Sequence, residues 1–91
     1  MDYLTIKEES HPFWYSLKAQ RELFKNTDAA EDDVYLIWLG LKYGAIAEKK
    51  KFELTENQLL EFYDLNLDAF SVAHNLLQSH LGKLKAARGE S

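Results

Sequence analysis

The chain has 91 residues, and its 11 Lys and Arg against 15 Asp and Glu give a formal net charge of −4 at pH 7. This length is typical of one domain. A hydrophobic share of 46% together with 29% charged residues excludes an intrinsically disordered chain and a membrane-embedded one. We therefore expect one soluble, folded, cytoplasmic domain.

The composition and sequence also disfavour three further classes of protein. The chain has no cysteine, which excludes disulfides and cysteine-ligated metals. The longest apolar run, at 34–41, is well short of the roughly 20 residues that span a bilayer, and residues 1–10 do not resemble a signal peptide. A pI near 5.3 disfavours nucleic acids as partners, although Lys49–Lys51 form a local basic run.

The N-terminal residues predict a β-hairpin or arm over 1–15. Residues 3–6 and 13–15 are short stretches rich in β-forming side chains, and the segment 8–12 between them has the composition of a turn. Pro12 suits the start or the edge of a strand. A two-stranded ribbon is marginal alone, so we expect a helix to pack against it.

The first helix is predicted to begin after the N-cap Ser16 and to end near Asn26. Its apolar face includes Leu17, Leu23 and Phe24 at helical spacing, with Ala19 or Gln20 completing that face.

The second helix is expected to begin near Asp28, where Asp28–Glu31 resembles a capping box, and to end at Gly44 as its C-cap. The intervening residues are apolar on every side, which predicts a central helix surrounded by its neighbours. Their β-branched and aromatic content leaves a buried strand as the alternative.

The third helix is predicted to open with a Thr55–Gln58 capping box and the fourth to run from Asp68 to Lys85, with a frayed tail at 86–91. The apolar residues of the fourth helix recur every three or four positions. The sequence therefore predicts a mainly α fold: a small four-helix domain whose helical core spans 16–85, with a short N-terminal β-hairpin.

Residues suited to catalysis or metal binding are few. His74 and His80 are six residues apart and therefore lie on different sides of a helix, and His74 is expected to be a hydrogen-bonded residue at the edge of the core. Asp64 and Asp68 have cation-binding spacing, but a helix break expected near Asn66 favours a capping role. We expect no enzyme, no cofactor and no metal site.

The aromatic content is high, with 12 Phe, Tyr and Trp side chains. A domain this small buries only about 60 to 65% of its chain surface, so some rings should stay exposed as contacts for a protein partner. Trp38, Phe62 and Phe70 are expected in the core. The candidates for partner binding lie at element ends or beside charges, where core and interface are about equally favoured: Trp14, Tyr43, Phe52 and Tyr63.

Two stretches resemble a known family. HPFWYSLKAQRELFK at 11–25 resembles a strand leading through a Ser/Thr-Leu-x-Ala turn into a first helix, and DVYLIWLGLKYG at 33–44 resembles a buried "LLWxGL" helix. KKFELTENQLLEFYD at 50–64 is similar to the polar stretch and capped helix that follow. Together, over roughly residues 11 to 65, these segments resemble the tail assembly chaperones of long-tailed, siphovirus-type bacteriophages.

The resemblance implies a non-enzymatic protein of virion assembly that holds the tape measure protein and recruits tail tube subunits. It implies a location in the cytoplasm of the infected or lysogenic host cell and absence from the mature virion. Trp38, Gly40 and Leu41 would be structural residues of the central helix. A homo-oligomer and a longer, frameshifted form both stay open.

The alternative is a small acidic helical adaptor, or an antitoxin-like inhibitor of a bacterial protein. Its affinity would fall steeply with ionic strength, because charge complementarity at a surface is screened by salt.

Overall fold

A computed structural model describes residues 1–25, 32–87 and 89. Within these residues the chain forms two strands and four helices, so the predicted mainly α domain with an N-terminal hairpin is confirmed. In the described part of the chain, no helix combines the length and the apolarity needed to cross a bilayer. The elements are β1 (Asp2–Ile6), β2 (Glu9–Phe13), α1 (Leu17–Phe24), α2 (Asp33–Ala47), α3 (Glu56–Leu65) and α4 (Leu67–Ala87).

The hairpin turns earlier than its composition predicts. Ile6 pairs with Glu9, which leaves a loop of two residues, Lys7 and Glu8, at φ values of 51° and 67°. Two positive φ values are characteristic of a type I′ turn, which usually contains Asn-Gly. The Lys-Glu pair gives no such signal, so the prediction of a turn at 8–12 and a second strand at 13–15 was wrong. Most of that predicted turn belongs to β2.

Helix α1 follows its predicted start and part of its predicted apolar face. The Ser16 hydroxyl accepts a hydrogen bond from the Ala19 N–H at 3.3 Å, as expected for the N-cap. Ala19 and Leu23 are buried, whereas Leu17 and Phe24 are exposed. The predicted end near Asn26 lies outside the described residues.

Helix α2 is the centre of the fold. The Asp32 side chain accepts from the Tyr35 N–H at 3.2 Å, while the predicted Asp28–Glu31 box lies outside the described residues. The expected end at Gly44 was wrong, because the helix continues to Ala47. Gly44 has a different role: a Cβ at this position would overlap the backbone of Pro12, so the glycine lets β2 approach the helix closely.

The last two helices follow their sequence signals closely. Thr55 and Gln58 form the predicted capping box, with hydrogen bonds of 3.1 and 3.0 Å. The break near Asn66 is confirmed, since α3 ends one residue before it and α4 begins one residue after it. Helix α4 runs two residues past the predicted end at Lys85.

The core lies between the inner face of the hairpin and the helices. Its fully buried side chains include Ile6 and Phe13 from the strands, Leu39 from α2, Leu59 from α3 and Leu77 from α4. Both described strands and all four described helices therefore contribute to one apolar cluster.

Candidate functional site

The candidate site is centred on Trp14, directly after β2. Its neighbours Phe13 and Tyr15 are 0% and 1% exposed, whereas 48% of the Trp14 surface is exposed. In an extended backbone, successive side chains point to opposite sides. The two buried neighbours therefore direct the Trp14 ring away from the core, and Trp14 lies on the surface as a partner-binding residue requires.

The backbone on both sides of Trp14 is held by hydrogen bonds to two different helices. The Trp14 N–H donates to the Gly40 carbonyl oxygen of α2 at 3.0 Å. The next amide, Tyr15 N–H, donates to Nδ1 of His80 in α4 at 3.1 Å. These bonds fix the peptide planes that flank Trp14, so the exposed ring is carried by an ordered backbone.

His80 is buried and joins this segment to the first strand. Because its Nδ1 accepts from Tyr15, the neutral ring carries its proton on Nε2, which lies 2.7 Å from Oδ2 of Asp2. The hydrogen bond from His80 lowers the pKa of the Asp2 carboxyl below its ordinary value of 3.8. The His80 ring also contacts the edge of Phe13, with 4.9 Å between the ring centroids.

His80 has no predicted role, although the sequence carries a signal for one. Ala73, Leu77, His80 and Leu84 are spaced by four, three and four residues, which places His80 on the inward face of α4. A histidine on such a face needs polar partners, and Asp2 and the Tyr15 amide supply them.

Trp14 borders an open cleft of about 400 Å³. Met1 and Leu84 supply aliphatic surface beside the Trp14 ring, while Asp2 and Lys83 supply charged groups of opposite sign. A cleft of this size accommodates the side chains of a partner rather than a whole domain. Its mixture of aromatic, aliphatic and charged surface suits an apolar segment that carries a few polar groups.

The structure separates the other predicted partner-binding residues. Tyr63 is only 3% exposed and lies in the core, because α3 turns its ring against Phe70 at 5.5 Å between centroids. Phe52 is half-buried with its ring 5.8 Å from that of Trp38. Neither residue lines the cleft beside Trp14.

Tyr43 is also half-buried, and its hydroxyl is engaged within the molecule. It donates to Oε1 of Glu22 at 2.6 Å, and Lys42 Nζ lies 2.9 Å from the same oxygen. This hydrogen bond raises the pKa of Tyr43 to about 12. The group links α1 to α2, so its position is explained by packing within the fold.

The remaining polar candidates are dispersed. His74 lies at the edge of the core as predicted, but its predicted hydrogen bond is not found: Nδ1 lies 3.0 Å from Oδ2 of Asp33 without the geometry of a hydrogen bond. Asp64 and Asp68 lie on either side of the helix break, and Asp68 is in the first turn of α4, where a carboxylate favours the helix dipole. Among the described residues there is no group of three potential metal ligands.

Comparison of the chain with protein-family models, curated proteins and solved structures finds no match.

Proposed function

We propose that this protein is a non-enzymatic chaperone of phage tail assembly that binds an apolar helix of the tape measure protein in the cleft beside Trp14. The observation that carries the proposal is the exposed Trp14 ring on a backbone fixed by α2 and α4. The resemblance of residues 11–65 to tail assembly chaperones supplies the identity of the partner.

The energetics of association favour such a ring as the main contact. Tryptophan buries a large area, and its side chain has only two rotatable torsions. Because the flanking amides are already ordered, little additional entropy is lost when a partner covers the ring. A helix could place an apolar side chain against Met1 and Leu84 while its next turn covers Trp14.

The proposed role has a physical basis in the partner as well. A long tape measure chain exposes apolar helix faces before the tail closes around it, and exposed apolar surface of this kind leads to aggregation. A small domain of net charge −4 keeps the complex in solution. In this proposal it acts in the cytoplasm of the host cell, brings tail tube subunits to the tape measure and leaves before the virion is complete.

The test is a binding titration with synthetic helical segments of a phage tape measure protein. Trp14→Ala should weaken binding by about 30-fold or more, as at an interface hot spot, and should change the free energy of unfolding by less than about 0.5 kcal/mol. Phe24→Ala is the matched control, because Phe24 is an exposed aromatic residue that does not line the cleft. Equal affinities for the wild type and Trp14→Ala would contradict the proposal.

Ionic strength separates this proposal from an acidic adaptor or inhibitor. Burial of apolar surface depends weakly on salt, whereas pairing of an acidic face with a basic partner is screened. We expect the affinity for the tape measure helix to change less than about threefold between low and physiological salt. A steep loss of affinity would favour the adaptor or inhibitor.

A further inference from the structure

Within the described ranges of the chain, the hairpin has one covered edge and one open edge. The outer side of β2 faces α2, where Gly44 lies against Pro12 and where the Gly40 carbonyl accepts from Trp14 directly after the strand. The sheet has two strands, so β1 forms its other edge.

The register identifies which backbone groups of β1 point away from the sheet. In an antiparallel hairpin with a two-residue loop, the pair next to the loop exchanges both hydrogen bonds and the pairs alternate from there. Ile6–Glu9 and Leu4–His11 are therefore hydrogen-bonded pairs, whereas Tyr3 pairs with Pro12 and Thr5 pairs with Ser10 without exchange. Pro12 has no N–H, which fits this assignment.

It follows that the backbone N–H and C=O groups of Tyr3 and Thr5 point away from β2, at the outer edge of β1. Both residues are exposed, and the Tyr3 side chain reaches across the sheet, where its hydroxyl donates to Oε2 of Glu48 at 2.6 Å. Open groups of this kind are the template to which an extended chain adds as a new strand.

A groove of about 280 Å³ runs beside this edge. Leu4 and Tyr63 line it from the core side, and Ala69 and Val72 of α4 form its far wall. Val72 is 63% exposed, so the wall is open and apolar. An added strand would pair with β1 and place alternate side chains against α4.

The charges at one end of the groove define the occupant further. Asp64 and Asp68 line the adjoining cleft at the α3–α4 break, which shares Ala69 with this groove, and both carboxylates are exposed. Because His80, late in α4, contacts Asp2 at the start of β1, the first turn of α4 lies towards the Ile6 end of the strand, where an antiparallel added strand would begin. Among the residues that the structure describes, no basic side chain forms a salt bridge with either carboxylate. Basic side chains near this end of an incoming strand would therefore find unpaired carboxylates.

We propose that the outer edge of β1 binds an extended segment of another polypeptide, which adds as an antiparallel third strand and carries apolar residues at alternate positions and basic residues at its N-terminal end. This strand site is separate from the cleft at Trp14 and does not depend on the function proposed above.

The direct test uses a synthetic peptide that alternates valine and threonine after two N-terminal lysines, titrated into the full chain and followed by amide NMR. Binding should protect the amides of Tyr3 and Thr5 from hydrogen exchange and leave those of Leu4 and Ile6, already paired with β2, nearly unchanged. Absence of binding, or equal protection of all four amides, would overturn the proposal.

Thr5→Pro removes one outward N–H from the edge while keeping a residue type that edge strands tolerate. It should weaken peptide binding by about tenfold or more, since a lost backbone hydrogen bond and a steric clash combine. Ser10→Pro is the matched control, because Ser10 is the cross-strand partner of Thr5 and its amide points to the opposite side of the hairpin. Equal binding by both variants, with the hairpin signals intact, would overturn the proposal.

Charge and self-association are tested separately. Replacing Asp64 and Asp68 together by Asn should lower the affinity for the lysine peptide at least threefold. The affinity for a peptide with serines in place of the lysines should not change.

If the chain alone forms a dimer that Thr5→Pro dissociates, the occupant is a second copy and the proposed partner class is wrong. The Thr5→Pro variant should bind the tape measure helix with the affinity of the wild type. The two proposals can therefore be refuted separately.

Discussion

The two tryptophans lie in similar sequence surroundings and have opposite environments. Trp14 is flanked by Phe13 and Tyr15, and Trp38 by Ile37 and Leu39. Trp38 is half-buried, its indole N–H donates to the Leu54 carbonyl oxygen at 2.9 Å, and its ring lies 6.0 Å from that of Tyr35. Trp14 is held by its backbone and leaves its ring on the surface.

The difference shows that apolar neighbours in sequence do not decide where a ring lies. In an extended segment, two buried neighbours require the residue between them to face outward, as for Trp14. On a helix, residues three and four positions apart share a face, so Trp38 packs beside Tyr35. One tryptophan therefore serves stability and the other is available to a partner.

The largest effect that tests this contrast is expected for Trp38→Ala. Loss of the ring removes its contacts with Tyr35 and Phe52 and leaves the Leu54 carbonyl without its donor, so the free energy of unfolding should fall by about 3 kcal/mol, the lower end for a buried tryptophan. Chemical denaturation measures it. Trp38→Phe keeps most of the ring contact and should cost about 1 kcal/mol. A loss below about 1 kcal/mol for Trp38→Ala would contradict this packing.

A second prediction concerns the contact that holds the Trp14 segment against α2. Gly44→Ala places a methyl group against the Pro12 backbone, and this overpacking should destabilise the protein by about 1 to 3 kcal/mol. Gly82→Ala is the control: a Cβ there meets nothing within 4 Å, so alanine should stabilise α4 by about 0.5 to 1 kcal/mol. Thermal unfolding of both variants should give shifts of opposite sign, and shifts of the same sign would refute the close strand–helix approach.

The smallest predicted effect separates two causes of a raised tyrosine pKa. The pKa of Tyr43 is raised from 10.0 to about 12 by its hydrogen bond to Glu22, and that of Tyr63 to about 12 by burial. Both contributions stabilise the folded state below pH 10 and are lost as the pH rises towards 12. In an ultraviolet titration, Glu22→Gln should lower the pKa of Tyr43 and leave that of Tyr63 unchanged. A parallel shift of both would show that the variant loosens the whole fold.

The sequence predicts the helices well where local chemistry is sufficient. The Thr55–Gln58 capping box, the N-cap Ser16 and the break near Asn66 all depend on hydrogen bonds within a few residues, and all were found. The turn at Lys7–Glu8 was missed because its positive φ values are imposed without the usual turn residues.

Features set by distant parts of the chain were less predictable. The close approach of Pro12 to Gly44 joins β2 to α2, and the role of His80 depends on Asp2, 78 residues away. Of the four candidate partner-binding residues, Trp14 is exposed, Tyr43 and Phe52 are half-buried, and Tyr63 is in the core. A list of aromatic residues at element ends cannot make this distinction, because it depends on which face each element turns inward.

The central claim, that the Trp14 ring is the exposed contact for an apolar helix, is tested most directly by fluorescence of the Trp38→Phe variant, in which Trp14 is the only tryptophan. In the free protein its emission should be that of a water-exposed indole and should be quenched readily by acrylamide. On addition of the tape measure helix, the emission should shift to shorter wavelength and the quenching should fall. An emission that is already that of a buried indole in the free protein, or that stays unchanged when the helix is shown to bind by calorimetry, would contradict the claim.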